Sequence, residues 1–233
     1  MSDEALEHLR RADPVMRDII RRCDGVRLRP RRRRPPFESL VRAIANQQLN
    51  GKAAQTILDR FIALFPGRKF PAPDDLDAVT DAALRACGFS FAKIAGIRDL
   101  AAKTCAGVVP AGRVLARLPD EEIVARLTEV RGVGRWTVEM LLIFQLGRPD
   151  VLPADDFGVR NGFRLAYGRD EMPKPRELLA WGERWRPHRT AAAWYLWRAT
   201  EMEWPEPAPA RARARRGSPP GGLGGGPPPF SIG

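Results

Sequence analysis

"EVRGVGRWTVEMLLIFQLGRPDVLPADDFGVRNGFR", residues 129–164, holds the segment whose reading decides the fold. Gly132 and Gly134 stand one residue apart, Trp136 follows, and Asp155-Asp156 lie about twenty residues further on. Glycine takes positive φ and lets a backbone approach its neighbours closely. A Gly-x-Gly turn just ahead of a helix points several N–H groups outward, with the positive helix end behind them. Such a turn can hold a phosphate oxygen without reading base sequence. Any tight helix-helix turn also wants glycine, so the turn alone identifies nothing. Its flanks read as helices. Asp120 caps one that carries Ile123, Val124 and Leu127, with Glu121 and Glu122 suited to its positive start. A second runs from about Arg135 to Leu146 and is broken by Gly147, Arg148 and Pro149. Val151-Leu152-Pro153 is extended, and Asp155-Asp156 opens another helix through Phe157, Val159 and Phe163. Either both aspartates simply cap that helix, or they divide the work, with Asp155 capping and Asp156 facing a cleft.

Outward from this segment the chain reads helical nearly throughout. Asp13-Pro14 is a cap followed by proline at the first helical position. Leu40, Val41, Ile44, Ala45 and Gln48 form one stripe after Phe37; Ala53, Ile57, Phe61 and Leu64 form another, ended by Pro66-Gly67. Ile94, Ile97, Leu100 and Ala101 mark a helix from about Ser90, and further helices carry Leu178, Leu179 and Trp181, then Trp194, Leu196 and Trp197. No alternating stretch longer than four residues is present, so the expected class is all-α. Residues 205–233 hold eight Pro and seven Gly and are expected to be disordered. The run Arg27–Arg34, closed by Pro35-Pro36, reads as an extended linker: a solvated charge run or a phosphate-contacting strap.

With 233 residues, 44% of them hydrophobic, the chain can build a real core in one or two lobes. No apolar run reaches the roughly 18 residues of a membrane span. The acidic start lacks an export signal's apolar core. Three scattered cysteines make neither a metal-ligand spacing nor a disulfide set. The formal charge is +11; the tail contributes +3 (four Arg against Glu206), which leaves +8 on the body. Such a balance favours a polyanion, nucleic acid first.

Four ordered motifs then carry a resemblance. Ala43–Asn50, reading AIANQQLN, resembles a Gln-Gln-Ile/Val-Ser helix end. Gly88–Lys93, reading GFSFAK, resembles a Gly-hydrophobic-Ser-x-x-Lys turn. Gly132–Thr137 is the hairpin, and Leu152–Asp156 resembles Leu-Pro-x-Asp-Asp. Together, over about residues 37–204, they resemble the helix-hairpin-helix DNA glycosylase superfamily, in its alkylpurine (3-methyladenine type) branch. The departures are Arg131 where the hairpin normally has proline, and Asn50 in place of serine. Only about 36 residues precede Phe37, too few for the β-rich N-terminal domain of some relatives.

The resemblance implies two helical lobes with the cleft between them. Residues 1–36 would pack with the C-terminal lobe, 37–150 would hold the hairpin, and 151–204 the catalytic aspartate. It implies Asp156 as the catalytic carboxylate, and Trp136, Trp197 and Phe157 as the base pocket. Gln47, Gln48 and Leu49 would fill the gap in the duplex, with Gln48 as the wedge. Arg131, Gly132, Val133, Gly134, Arg135 and Thr137 would meet phosphate. The chemistry suits these types. A stacked base must be flipped out before it can be reached, and something must hold the gap. Cleaving the N-glycosidic bond builds positive charge on the sugar, which a carboxylate stabilises. An alkylated purine is already cationic, and aromatic faces attract it by about 0.5–2 kcal/mol per contact. Trp136 stands where strand-cleaving relatives carry an amine nucleophile, so a monofunctional enzyme is expected.

Neither a metal nor an iron–sulfur cluster is expected, since the last cysteine is Cys105. No cofactor is implied, with a monovalent cation at the hairpin left open. The expected partner is double-stranded DNA, with no membrane. The expected protein is a monomer in a bacterial cytoplasm, at the nucleoid. Two alternatives stand: a glycosylase for a neutral base (uracil, hypoxanthine or a mismatched base), and a non-catalytic helix-hairpin-helix DNA-binding module.

Overall fold

The computed structural model describes residues 1–23, 26–29 and 34–204. The tail at 205–233 and residues 30–33 of the arginine run lie outside them. Among the described residues every regular element is helical. In chain order these are α1 (Asp3–Ala12), α2 (Pro14–Arg22), α3 (Pro36–Asn46), α4 (Gly51–Ala63), α5 (Asp81–Cys87) and α6 (Phe91–Cys105). There follow α7 (Gly112–Leu115), α8 (Asp120–Leu127), α9 (Arg135–Leu141), α10 (Phe157–Ala166), α11 (Pro175–Gly182) and α12 (Arg189–Ala199). Short 3-10 turns lie at Asp74–Ala78 and Glu183–Trp185, and a π turn at Leu142–Leu146 extends α9. No described helix is long and apolar enough to cross a membrane.

The described residues divide into two compact units: one of 1–29 with 148–204, the other within Pro30–Gly147. The cuts thus fall at 29/30 and 147/148, against 36/37 and 150/151 from sequence. The second difference has a local cause. Thr190 Oγ1 donates to the Arg148 carbonyl at 2.7 Å, and its backbone N–H donates to the Pro149 carbonyl at 3.0 Å. The extended segment therefore belongs with α12.

In the first unit, α2 packs on α1 and α12, and α10 packs on α12. Asp13, 2% exposed, caps α2: its Oδ1 accepts from the Val15 N–H at 3.0 Å. Its Oδ2 accepts from Tyr167 Oη at 2.6 Å and Trp185 Nε1 at 3.1 Å. A buried carboxylate needs such donors, and here they come from two distant segments. Burial and this carboxylate push the Tyr167 phenol well above its ordinary pKa. Gly162 lets α10 meet α12, because a Cβ there would lie 1.8 Å from the Leu196 carbonyl oxygen. Trp185 and Trp194 are core residues, while Trp181 stays half-buried and stacks under Arg184.

In the second unit, α3 packs on α4, α6 and α9, over a cluster of Phe37, Phe61, Phe65, Phe70 and Phe89. Three readings need correction. Gln48 is not on the α3 stripe: the helix stops at Asn46, and Gln48 has φ +58°. On α4 the buried positions are Ala54, Leu58 and Phe61, one residue on from the expected Ala53 and Ile57. At α8 the cap is Pro119, and Asp120 is the first helical residue.

Candidate active site and nucleic-acid interface

In the first unit the site is built on the start of α10. Asp156 is its N-cap and is 5% exposed. Its Oδ1 accepts from the Val159 N–H at 2.8 Å and from Trp197 Nε1 at 2.8 Å. Both readings of the pair gave Asp155 a capping role, and the structure corrects that. Asp156 caps the helix itself, and Asp155 is exposed. The physical reason is register: an N-cap carboxylate reaches the N–H three residues on, and Val159 is that residue. The helix end presents its positive pole to the same carboxylate. Trp197 comes from α12, forty-one residues later, and is 5% exposed. Gly158 makes room for it, since a Cβ there would lie 2.8 Å from Trp197 Cδ1. Phe157 is 47% exposed. The structure thus brings Asp156 and Trp197 together through a hydrogen bond as well as proximity. Sequence reading missed Gly158 and Gly162, although their spacing of four residues in a helix was a usable sign of close helix approach.

In the second unit two exposed features stand side by side. The first is the turn between α3 and α4. Gln47, Gln48 and Leu49 line a groove of about 330 Å3 together with Ala43, Asn46, Trp136, Thr137 and Met140. Asn50 caps α4, its Oδ1 accepting from the Ala53 N–H at 2.8 Å, so this departure from serine keeps the capping function. The second is the hairpin between α8 and α9. Gly132 has φ +79°, which favours glycine there. Gly134 caps α9 without a side chain, so the first-turn N–H groups face outward along the axis. Gln47 Nε2 donates to the Gly132 carbonyl at 2.8 Å and links the two features.

The hairpin residues expected to meet phosphate do not all present side chains. Val133 and Thr137 are buried, so only their backbone can take part. Arg131 and Arg135 are exposed. The Arg131 N–H donates to Asp99 Oδ2 at 2.7 Å. The Arg135 guanidinium binds Glu121 at 2.7 Å and holds that carboxyl below its usual range. A phosphate would have to share Arg135 with Glu121.

Helix α6 underlies both features. Lys93 Nζ donates to the carbonyls of Ala45 and Gln47 at 2.7 and 2.8 Å. Gly96 admits the hairpin, because a Cβ there would lie 2.9 Å from the Arg131 carbonyl oxygen. Asp99 holds the Arg131 N–H and pairs with Lys103 at 2.8 Å. Burial alone would raise the Asp99 pKa; hydrogen bonds from Lys103 and Arg131 outweigh it and hold the carboxyl low. Residues 93, 96, 99 and 103 recur at helical spacing on one face. Lys93 belonged to a motif legible in the sequence, but nothing there gave it a task. Nothing in the sequence singled out Asp99. Among the described residues no cluster of His, Cys, Asp and Glu could hold a metal ion.

A buried aspartate at a helix start, following a glycine hairpin and a Gln-Gln turn, defines a class of helical DNA-repair protein. The chain belongs to the HhH-GPD superfamily of base excision DNA repair proteins, whose family model matches residues 41–187. It is 44% identical over 170 residues to DNA-3-methyladenine glycosylase 1 of Schizosaccharomyces pombe, covering 73% of this chain and 75% of that one. The structure of the S. pombe 3-methyladenine DNA glycosylase in complex with abasic DNA matches with a TM-score of 0.76 and 40% identity. It covers 85% of this chain and 97% of that one. A DNA-3-methyladenine glycosidase from Bacillus halodurans matches with a TM-score of 0.75 and 34% identity, over 84% of this chain and 88% of that one.

Proposed function

We propose that this protein is a monofunctional DNA-3-methyladenine-type glycosylase of base excision repair. It binds duplex DNA, turns an alkylated purine out of the stack and hydrolyses its N-glycosidic bond. The observation that carries this reading is the Asp156 carboxylate, buried at the start of α10 and held by the Trp197 indole. The names and similarity of the relatives from S. pombe and B. halodurans support it.

As the bond between C1′ and the base lengthens, the sugar becomes oxocarbenium-like. Asp156 is fixed before the reaction by two N–H donors, so its charge is in place without reorganisation. The alkylated base is cationic and leaves with the bonding electrons as a neutral purine. Water adds to C1′ and gives up a proton, and an abasic site remains. Trp136 offers no amine to attack the sugar, so the strand stays intact. Gln48 enters the space left by the base, and the hairpin holds the phosphates. The cell cytoplasm, at the DNA, is the place this activity implies.

The test is base release from duplex oligonucleotides carrying 3-methyladenine, 7-methylguanine, uracil or 8-oxoguanine. The two methylated purines should be released fastest, leaving an abasic site without strand cleavage. Borohydride should trap no enzyme–DNA adduct. Fastest release of uracil would put a neutral-base enzyme in its place. No release from any substrate, with DNA still bound, would leave only a binding module.

A further inference from the structure

The turn that carries the wedge has an unusual backbone. Gln47 has φ −55° and ψ 129°, Gln48 has φ +58°, and the Leu49 N–H donates to the Asn46 carbonyl at 3.2 Å. These values describe a type II turn, whose third position belongs to glycine or asparagine. Gln48 is neither, and among the described residues it is the non-glycine residue recorded at positive φ. A conformation of this kind persists where surrounding contacts over-determine it.

Two contacts do so here. Lys93 Nζ holds the Gln47 carbonyl at 2.8 Å, the carbonyl of the very peptide whose flip would turn a type II turn into type I. The Gln47 side chain is pinned from the other side, donating to the Gly132 carbonyl at 2.8 Å. Lys93 also holds the Ala45 carbonyl at 2.7 Å and so takes up an acceptor in the last turn of α3. Burial lowers the pKa of this lysine, which fits a side chain used inside the fold rather than on DNA.

We propose that Lys93 is a positioning residue: its two carbonyl contacts fix the Gln47–Gln48 peptide in the type II orientation and so aim the Gln48 side chain. This rests on the reading of Gln48 as the wedge. Without Lys93 the peptide flips, Gln48 relaxes to negative φ, and the amide no longer points where a flipped base leaves its gap.

The test uses Lys93→Met, and Lys93→Gln should the methionine variant not fold. Excision of 7-methylguanine from duplex DNA should fall roughly tenfold, the scale of one misplaced active-site contact. Adding Gln48→Asn should recover most of that loss, because asparagine tolerates positive φ and keeps a planar amide. A lysine that merely stabilised the fold would not be rescued by changing the wedge. In the DNA-free protein, the three-bond HN–Hα coupling of Gln48 should shift from its left-handed value when Lys93 is replaced. Gln48 still at positive φ in the Lys93 variant, or no recovery with Gln48→Asn, would overturn the proposal. The coupling reads the turn itself, so it decides the matter even if the wild-type protein releases no methylated base.

Discussion

The start of α10 and the turn between α3 and α4 solve opposite problems. Asp156 is a side chain withdrawn from water, 5% exposed, with Oδ1 held by two N–H donors from different helices. Gln48 lies on the surface, and what is held is the backbone beneath it, by Lys93 from α6. A charge-stabilising group gains from exclusion of water, because its field is then less screened. A wedge has to reach outward into a partner, so only its base can be fixed. Rigid support is common to both, but at one place it grips a carboxylate and at the other a peptide bond.

The contrast is broken most directly at Asp156. Asp156→Asn keeps Oδ1 for the Val159 and Trp197 donors and removes the charge. Base excision should fall by at least about two orders of magnitude, the usual cost of one electrostatic stabiliser. DNA affinity and the unfolding midpoint should barely change. Near-normal excision in this variant, with loss in Asp155→Asn, would move the catalytic role to the exposed neighbour.

A second substitution asks how much the buried site depends on helix packing. Gly162→Ala puts a Cβ against the Leu196 carbonyl, a backbone group that cannot swing aside. Destabilisation of about 1–3 kcal/mol is expected, as for overpacking elsewhere, and denaturant unfolding measures it. Gly158→Ala meets the Trp197 indole instead. It should cost less stability and more excision, because it presses on the group that holds Asp156.

The smallest effect is expected under the hairpin. Asp99 has its folded pKa lowered, so its contribution is fully present above the ordinary carboxylate range. It is lost as the pH falls through the folded value. Asp99→Asn should therefore lower stability by about 0.5–1 kcal/mol at neutral pH. The difference from wild type should shrink in acid. A difference that persists unchanged at low pH would show that the Asp99 charge is not what anchors the Arg131 N–H.

The sequence by itself determined the helical class, the hairpin, the cap at Asp13, and the family. Each depends on residues close together in the chain, where periodicity and capping act within a turn or two. Helix α9 was bounded at Gly147 for the same reason, since glycine there ends the π turn at φ +66°. The tertiary structure alone decided which aspartate the fold buries, and that Trp197 meets it from forty-one residues away. It alone showed Asp13 gathering Tyr167 and Trp185. It alone gave Lys93 a task on the carbonyls of Ala45 and Gln47. Periodicity marks the face a helix buries, but it does not say which donor will meet which acceptor once that face is covered. That pairing follows from how whole helices pack, and buried polar groups must find their partners there.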